Sequence, residues 1–539
     1  MIVLGPLLFL LVVGGLIALG IRTWRQREES GREGGLDLIP YLLMALAVGV
    51  AGFSIARLAR ASLTPDRIAG RPIGELAGAL AGLVVAGPTA YLLWQFLAKR
   101  RKTFLRNPGW PIYLSIIEVV FLTAFFVAVG QFADALTDSA LAPRWTDLIV
   151  YGGIVAFHWW AESREPATEE VGELPRLVGS AVSVVALAAG AIGSLSWLFS
   201  EAYESLGGAV TVPPQPAIPL ALTLAAAPMW AWRWLPAWEE ESTPFRSLYL
   251  SFLTALSLIV TTGAAVTIVA VLLSFLFGQA GPTEDHFGTY PTAVSFALVG
   301  GALWIHHRRR IGVARGGAMR GYQYGMAAAG LAGLVGFTVA LVDLAFEPRL
   351  AGGDTGEALI LLGCSVVASG LAWFWFWRKV EDAPRAEEIR ALQRRMYLLG
   401  MAVITGLTAA GSLIASLVVV FRALLGEGGD ISESLRIPLS LTVVSGLAAW
   451  HLYSHVRTDG AALRKTEARP FTVTIVCSHP GQISTLFPKE ATLRVLYRAD
   501  ELGVIDEAMA EAIVSEVGGR PSLVWVDDSG FRVAAAKEP

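Results

Sequence analysis

The sequence predicts an all-α polytopic membrane bundle of about 13 TM helices in parallel two-helix repeats, with a small C-terminal α+β cytoplasmic domain. Three observations carry that prediction. Of 539 residues, 54% are hydrophobic and 16% charged, and mean hydropathy is +0.56, whereas a soluble chain carries about 25% charge. Apolar stretches long enough to cross hydrocarbon recur from end to end. After Arg469 the texture changes to strand alternation. This composition excludes an ordinary cytosolic enzyme and a disordered chain. The net charge of −3, with basic residues confined to short clusters between apolar runs, leaves no nucleic-acid footprint. Two cysteines, Cys364 and Cys477, make no disulfide framework.

A spanning helix needs roughly 20 mostly apolar residues. The first candidate, Ile2 to Ile21, lacks a basic lead and is followed by Arg22, Arg25 and Arg27, so it reads as a retained anchor with its N-terminus outside. The others fall at 39–60, 73–98, 111–135, 144–161, 175–203, 216–235, 245–278, 289–307, 319–345, 356–378, 395–424 and 434–454. Orientation follows from Lys and Arg, which stay on the cytoplasmic side in short loops. With the N-terminus out, inner connections carry Arg22 to Arg32, Lys99 to Arg106, Arg308 to Arg320 and Arg378 to Arg395. Inner loops hold about 28 basic residues and outer loops about 8. Four of those eight (Arg57, Arg60, Arg67 and Arg71) sit in the first outer loop. The expectation is a multi-pass cell-membrane protein with its C-terminus in the cytoplasm.

After the first helix the spans pair off. Pairs open on Pro40-Tyr41, Pro111-Ile112-Tyr113, Pro175-Arg176-Leu177, Arg246 to Tyr249, Arg320-Gly321-Tyr322 and Arg394 to Tyr397. They close on Trp94, His158-Trp159-Trp160, Trp230 to Trp234, Trp304 to His307, Trp373 to Trp377 and Trp450-His451. Both series recur at about 72 residues, with one step of about 65. A two-helix unit starts and ends on one side, so these are parallel repeats, unlike the inverted repeats of many transporters.

In these features the chain resembles the bacterial membrane proteins that share domain of unknown function 5671. The resemblance implies units of about four helices, each with a Tyr-led first helix and a Trp/His-plus-basic ending, three of which would fill residues 39–455. It implies no activity and no catalytic residues. The domain boundaries expected are 1–38 (anchor and basic linker), 39–172, 173–316 and 317–460 (three repeat units) and 461–539 (the cytoplasmic module).

Small residues at four-residue spacing, such as Gly78-Gly82-Ala86, Ala186-Gly190-Ser194, Gly325-Ala329-Gly333 and Ala402-Gly406-Ala410, point to close helix packing. Pro88 and Pro228 lie within second helices, where each removes a backbone donor.

Four residues stand out as candidate functional positions: Glu118, His158, His307 and His451. An intramembrane charge costs several kcal/mol unless paired or hydrated. Glu118 lies about five residues into an apolar helix, and it reads either as a proton-handling carboxylate or, the favoured alternative, as one that snorkels to the inner interface. Arg57 and Arg60 are expected to pair with Asp134 or Asp343. The histidines, with His306, fall at similar places in different pairs. Haem b or a metal would use them in an apolar pocket, but their Trp and Arg neighbours suit an aromatic belt better, so no cofactor is expected. The outer Glu284-Asp285-His286 run and the His479-Pro480-Gly481 turn read as solvated loop chemistry.

The chain has one Asn, few Gln, and no phosphate-binding glycine loop, His-Glu-x-x-His or Cys-x-x-Cys. No enzyme activity is expected. The favoured reading is a membrane-embedded binding, scaffold or sensor protein whose C-terminal module engages a protein partner. The alternative is a transporter or channel for an apolar or lipid-like substrate.

Past Arg469, Phe471 to Cys477 and Thr492 to Tyr497 alternate as strands, Asp506 to Val517 has helical spacing, and Ser522 to Ala535 reads as a hairpin around Asp527 to Gly530.

Overall fold

A computed structural model describes residues 39–63, 73–99, 109–137, 144–164, 173–210, 215–235, 243–278, 286–311, 317–346, 353–383, 385–426 and 430–467, and in the C-terminal part 471–477, 491–497, 507–517, 522–527 and 530–535. The anchor at 2–21, Glu284, Asp285 and His479 to Gly481 lie outside the described residues.

The helices are α1 (Ile39–Ser62), α2 (Ile73–Lys99), α3 (Gly109–Ile117), α4 (Thr123–Thr137), α5 (Trp145–Arg164), α6 (Leu174–Ser205), α7 (Ala217–Trp234), α8 (Pro244–Leu276), α9 (Tyr290–Ile311), α10 (Gly317–Ala345), α11 (Gly353–Glu381), α12 (Arg385–Arg390), α13 (Leu392–Leu424) and α14 (Ile431–Glu467). A π-helical turn, Glu118–Leu122, joins α3 to α4 without breaking the rod. Nine spans among the described residues are long and apolar enough to cross a membrane, and the chain is a multi-pass, mostly helical membrane protein. Of the thirteen spans expected, nine meet that measure, three do not, and the one at 2–21 lies outside the described residues. α5, α7 and α9 fall short because their Trp, His and Arg endings lower the mean hydropathy.

The described residues divide into two compact units. In the first, which takes in residues up to 383 and 407–446, helices pack as hairpins: α1 with α2, α4 with α5, α6 with α7, α8 with α9, and α10 with α11. In the first four hairpins the first helix also meets both helices of the next. Thus α1 touches α3 and α5, the α3–α4 rod touches α6 and α7, α6 touches α8 and α9, and α8 touches α10 and α11. The polar contacts between hairpins carry the sequence period. Ser180 meets Tyr249 across 69 residues, Glu162 meets Arg233 across 71, and Trp234 meets His306 across 72.

Between two greasy helices apolar burial alone gives little, so backbones must come close. A Cβ on Gly190 would lie 2.6 Å from the Thr223 backbone nitrogen, and one on Gly330 would lie 2.5 Å from that of Trp373. Both glycines hold a hairpin shut. Gly78 and Gly406 meet nothing within 4 Å, so the four-residue stripes contribute only at some of their members. First helices also end alike: Gly207 (φ 90°) closes α6 and Gly278 (φ 67°) closes α8, each in the left-handed region that favours glycine.

The second unit comprises residues 384–406 and 447–539. Arg394 holds Asp459 through two hydrogen bonds, 2.6 Å from Nε and 3.3 Å from Nη2. Its sheet contains β1 (Phe471–Cys477), β2 (Ala491–Tyr497), β3 (Ser522–Asp527) and β4 (Gly530–Ala535), ordered β2-β1-β3-β4. β1 runs parallel to β2 and β3, and β3 runs antiparallel to β4. The helix α15 (Glu507–Val517) packs against β4.

Candidate functional site

Glu118 begins the π turn, nine residues and about 13 Å into its helix from Gly109. Its side chain is 2% exposed, so it does not snorkel to an interface as expected. It forms an ion pair with Arg233, itself 5% exposed, at the end of α7. The Trp159 indole N–H donates to Glu118 Oε1 at 3.0 Å. Arg233 also donates from Nη1 to Glu162 Oε2 at 2.7 Å and lies 5.0 Å from the centre of the Trp159 ring. One guanidinium thus joins two carboxylates and an indole face from the hairpin before it. The charge at Glu118 is balanced inside the protein, which is what a carboxylate so far from water requires.

Backbone geometry makes the room. A Cβ on Gly179 of α6 would collide with the Glu118 carboxylate. One turn on, Phe121 fills the space opposite Gly52, whose Cβ would lie 2.6 Å from the Phe121 ring. A π turn shifts the helix face by inserting one residue, so Glu118 and Phe121 can face different neighbours, α7 and α1.

His158 belongs to the same neighbourhood. Its Nδ1–H donates to the Ile154 carbonyl at 2.7 Å, which leaves Nε2 to accept from the Tyr113 hydroxyl, also at 2.7 Å. Tyr113 is five residues before Glu118, and His158 adjoins Trp159. Both imidazole nitrogens are therefore occupied.

His307 repeats half of that arrangement in the α8–α9 hairpin. Nδ1–H donates to the Leu303 carbonyl at 2.8 Å, while the buried Nε2 has no hydrogen-bond partner among the described residues. The equivalent tyrosine, Tyr249, turns instead to Ser180 of the preceding hairpin, 2.7 Å away, with its ring 6.0 Å from His307. Trp234, the neighbour of Arg233, donates to His306 Nε2 at 3.0 Å and lies 5.9 Å from the His307 ring. The Arg233-Trp234 dipeptide therefore links the Glu118 cluster on one side to the His306-His307 cluster on the other. His451 belongs to the second compact unit, where its ring lies 4.8 Å from that of His455.

Two further ion pairs were not among the expected pairings. Arg60 pairs with buried Asp147 at 3.0 Å, and Asp343 pairs with Arg436 at 3.8 Å. His286 contacts the Val271 carbonyl at 2.8 Å and Glu357 at 3.4 Å. Among the described residues, no group of three or more His, Cys, Asp or Glu could hold a metal ion. Arg233 was missed by sequence reading. The available signal was its position as the lone charge inside Trp230-Ala-Trp-Arg-Trp234, one repeat beyond Glu162.

No curated protein and no solved structure matches this chain. A family does match in part: residues 320–447, running from the first turn of α10 into α14, fit the model of a domain of unknown function (DUF5671).

Proposed function

We propose that this protein is a membrane-embedded scaffold or sensor whose stacked hairpins hold a rigid core and whose C-terminal α+β module docks a protein partner in the cytoplasm. The observation that carries this reading is the neutralisation of Glu118 by Arg233. A carboxylate held by a guanidinium, an indole and a close glycine is built to stay, whereas a transport carboxylate must exchange partners during its cycle. The 69-, 71- and 72-residue spacing of contacts between hairpins supports six parallel pairs after an N-terminal anchor. The Lys and Arg distribution supports an N-terminus outside and a C-terminus inside.

The second reading, a transporter or channel for an apolar or lipid-like substrate, draws on the π turn at Glu118 and on Pro88 and Pro228 inside α2 and α7. Mass spectrometry of gently purified protein separates the two. A retained partner chain supports the scaffold, and a retained apolar solute together with flux lost in Glu118→Gln supports transport. A reporter fused after Pro539 that works only outside the cytoplasm would refute the orientation.

A further inference from the structure

The arginines where α9 meets α10 form a cluster that neither reading uses. From His286 to Val342 the chain has no Asp or Glu, yet Arg308, Arg309, Arg310, Arg315 and Arg320 fall within this stretch. Two other turns at the same ends of the hairpins differ. Residues 162–176 hold five glutamates and two arginines, and the basic residues of 378–395 are interspersed with Glu381, Asp382, Glu387 and Glu388. In those two turns cationic side chains have acidic neighbours; the Lys99–Arg106 turn shares the lack of acid but lies almost wholly outside the described residues.

The two helix ends are held together. Trp304 Nε1–H donates to the Tyr322 hydroxyl at 3.3 Å, and the Arg308 guanidinium lies 5.9 Å from the centre of the Tyr322 ring. That brings the last turn of α9, with its three arginines, beside the first turn of α10, which contains Arg320. The N-terminus of α10 adds the partial positive charge of its free backbone N–H groups.

Below this cluster α9 has an apolar face. Leu298, Ala302, Ile305 and Arg309 follow one another at spacings of four, three and four residues, so they line one side of the helix, and all four are exposed. Leu298 is 52% and Ile305 45% exposed. An exposed cation at the end of an exposed apolar stripe matches one kind of molecule, with an anionic head and a hydrocarbon tail.

We propose that this is a binding site for an anionic phospholipid, with the phosphate at Arg308–Arg310 and Arg320 and an acyl chain along Leu298–Ala302–Ile305. The site concerns the outer surface of α9, so it stands or falls separately from the Glu118 network and from the scaffold reading.

The test uses the full-length protein in nanodiscs of equal phosphatidylcholine and phosphatidylglycerol, followed by native mass spectrometry of the lipids retained on release. The wild type is expected to keep phosphatidylglycerol in preference to phosphatidylcholine. Each juxtamembrane arginine contributes about fivefold to anionic-lipid binding. Arg309→Gln should therefore lower phosphatidylglycerol retention by about fivefold, and the triple change at Arg308, Arg309 and Arg310 by about a hundredfold. Phosphatidylcholine should be unaffected, and Lys379→Gln, in the mixed-charge turn, should leave both lipids unchanged. If the triple variant fails to fold, the exposed single variant Arg309→Gln decides. Equal retention of the two lipids by the wild type would overturn the proposal. So would an unchanged Arg309→Gln, or a Lys379→Gln effect as large as that of Arg309→Gln, which would mean diffuse charge. Release of phosphatidylglycerol by millimolar inorganic phosphate would assign the cluster to soluble anions and overturn the lipid site.

Discussion

Removing Arg233 should cost more than removing the whole ion pair. Arg233→Met keeps the bulk of the side chain and deletes its charge, leaving Glu118, 2% exposed, with the Trp159 indole as its one remaining partner among the described residues. Breaking a buried pair from one side costs about 3–5 kcal/mol, because the remaining charge has no water. Glu118→Gln acts differently. It removes a charge but keeps the shape, and Arg233 retains Glu162 at 2.7 Å, so the loss should be about 1–2 kcal/mol. The double variant Glu118→Gln/Arg233→Met leaves no uncompensated charge at the π turn, and Glu162, 17% exposed, retains access to water. It should therefore be about 2 kcal/mol or more better than Arg233→Met alone. The assay is unfolding of the purified protein by SDS titration from a mild detergent, with the four forms treated as a double-mutant cycle. Additive losses, or an Arg233→Met cost below about 1 kcal/mol, would refute the claim that Glu118 is neutralised by Arg233.

Gly179→Ala drives a methyl group into the Glu118 carboxylate and should destabilise by about 1–3 kcal/mol. Adding Glu118→Ala should recover part of that loss in the same titration, and no recovery would mean that the collision lies elsewhere. Tyr113→Phe strips the donor from the buried His158 Nε2 and should cost about 1–3 kcal/mol, while His158→Phe combined with it should cost less than the two separately. At the start of α14, Asp430 Oδ1 accepts from the Ser432 hydroxyl and from the Ser432 and Glu433 backbone N–H groups. Those bonds, the Ser432 hydroxyl foremost, hold its carboxyl below the usual carboxylate range. A depressed folded value means that the cap is fully present above the unfolded pKa and is lost as pH falls through the folded one. Hydrogen-exchange protection of residues 432–434 should fall in that acidic window and should be independent of pH there in Asp430→Asn. An unchanged pH profile in the variant would count against the cap.

Nine of the spans were legible in the sequence because lipid imposes a one-dimensional rule: about 20 apolar residues in a row, whatever their neighbours. Glu118 was legible for the same reason, being a charge inside such a run. Its role was not, because the partner that balances it lies 115 positions away (233 − 118) on another hairpin, and the sequence holds many arginines with equal claims. The pairing of Arg60 with Asp147, 87 positions on (147 − 60), is the same case. Similarly, His158 and His307 read alike in the chain, at corresponding places in their pairs, yet among the described residues one has both nitrogens occupied and the other does not. The difference is that Tyr113 turns toward its own hairpin and Tyr249 toward the preceding one.

By itself the sequence determined that the chain is a helical multi-pass membrane protein, since hydropathy acts residue by residue and needs no knowledge of contacts. Only the tertiary structure decided which charge meets which, which glycines bring backbones together, and where the helix slips into a π turn. Each of those depends on distances of a few ångströms between segments far apart in the chain, and composition and spacing along one strand of residues do not contain them.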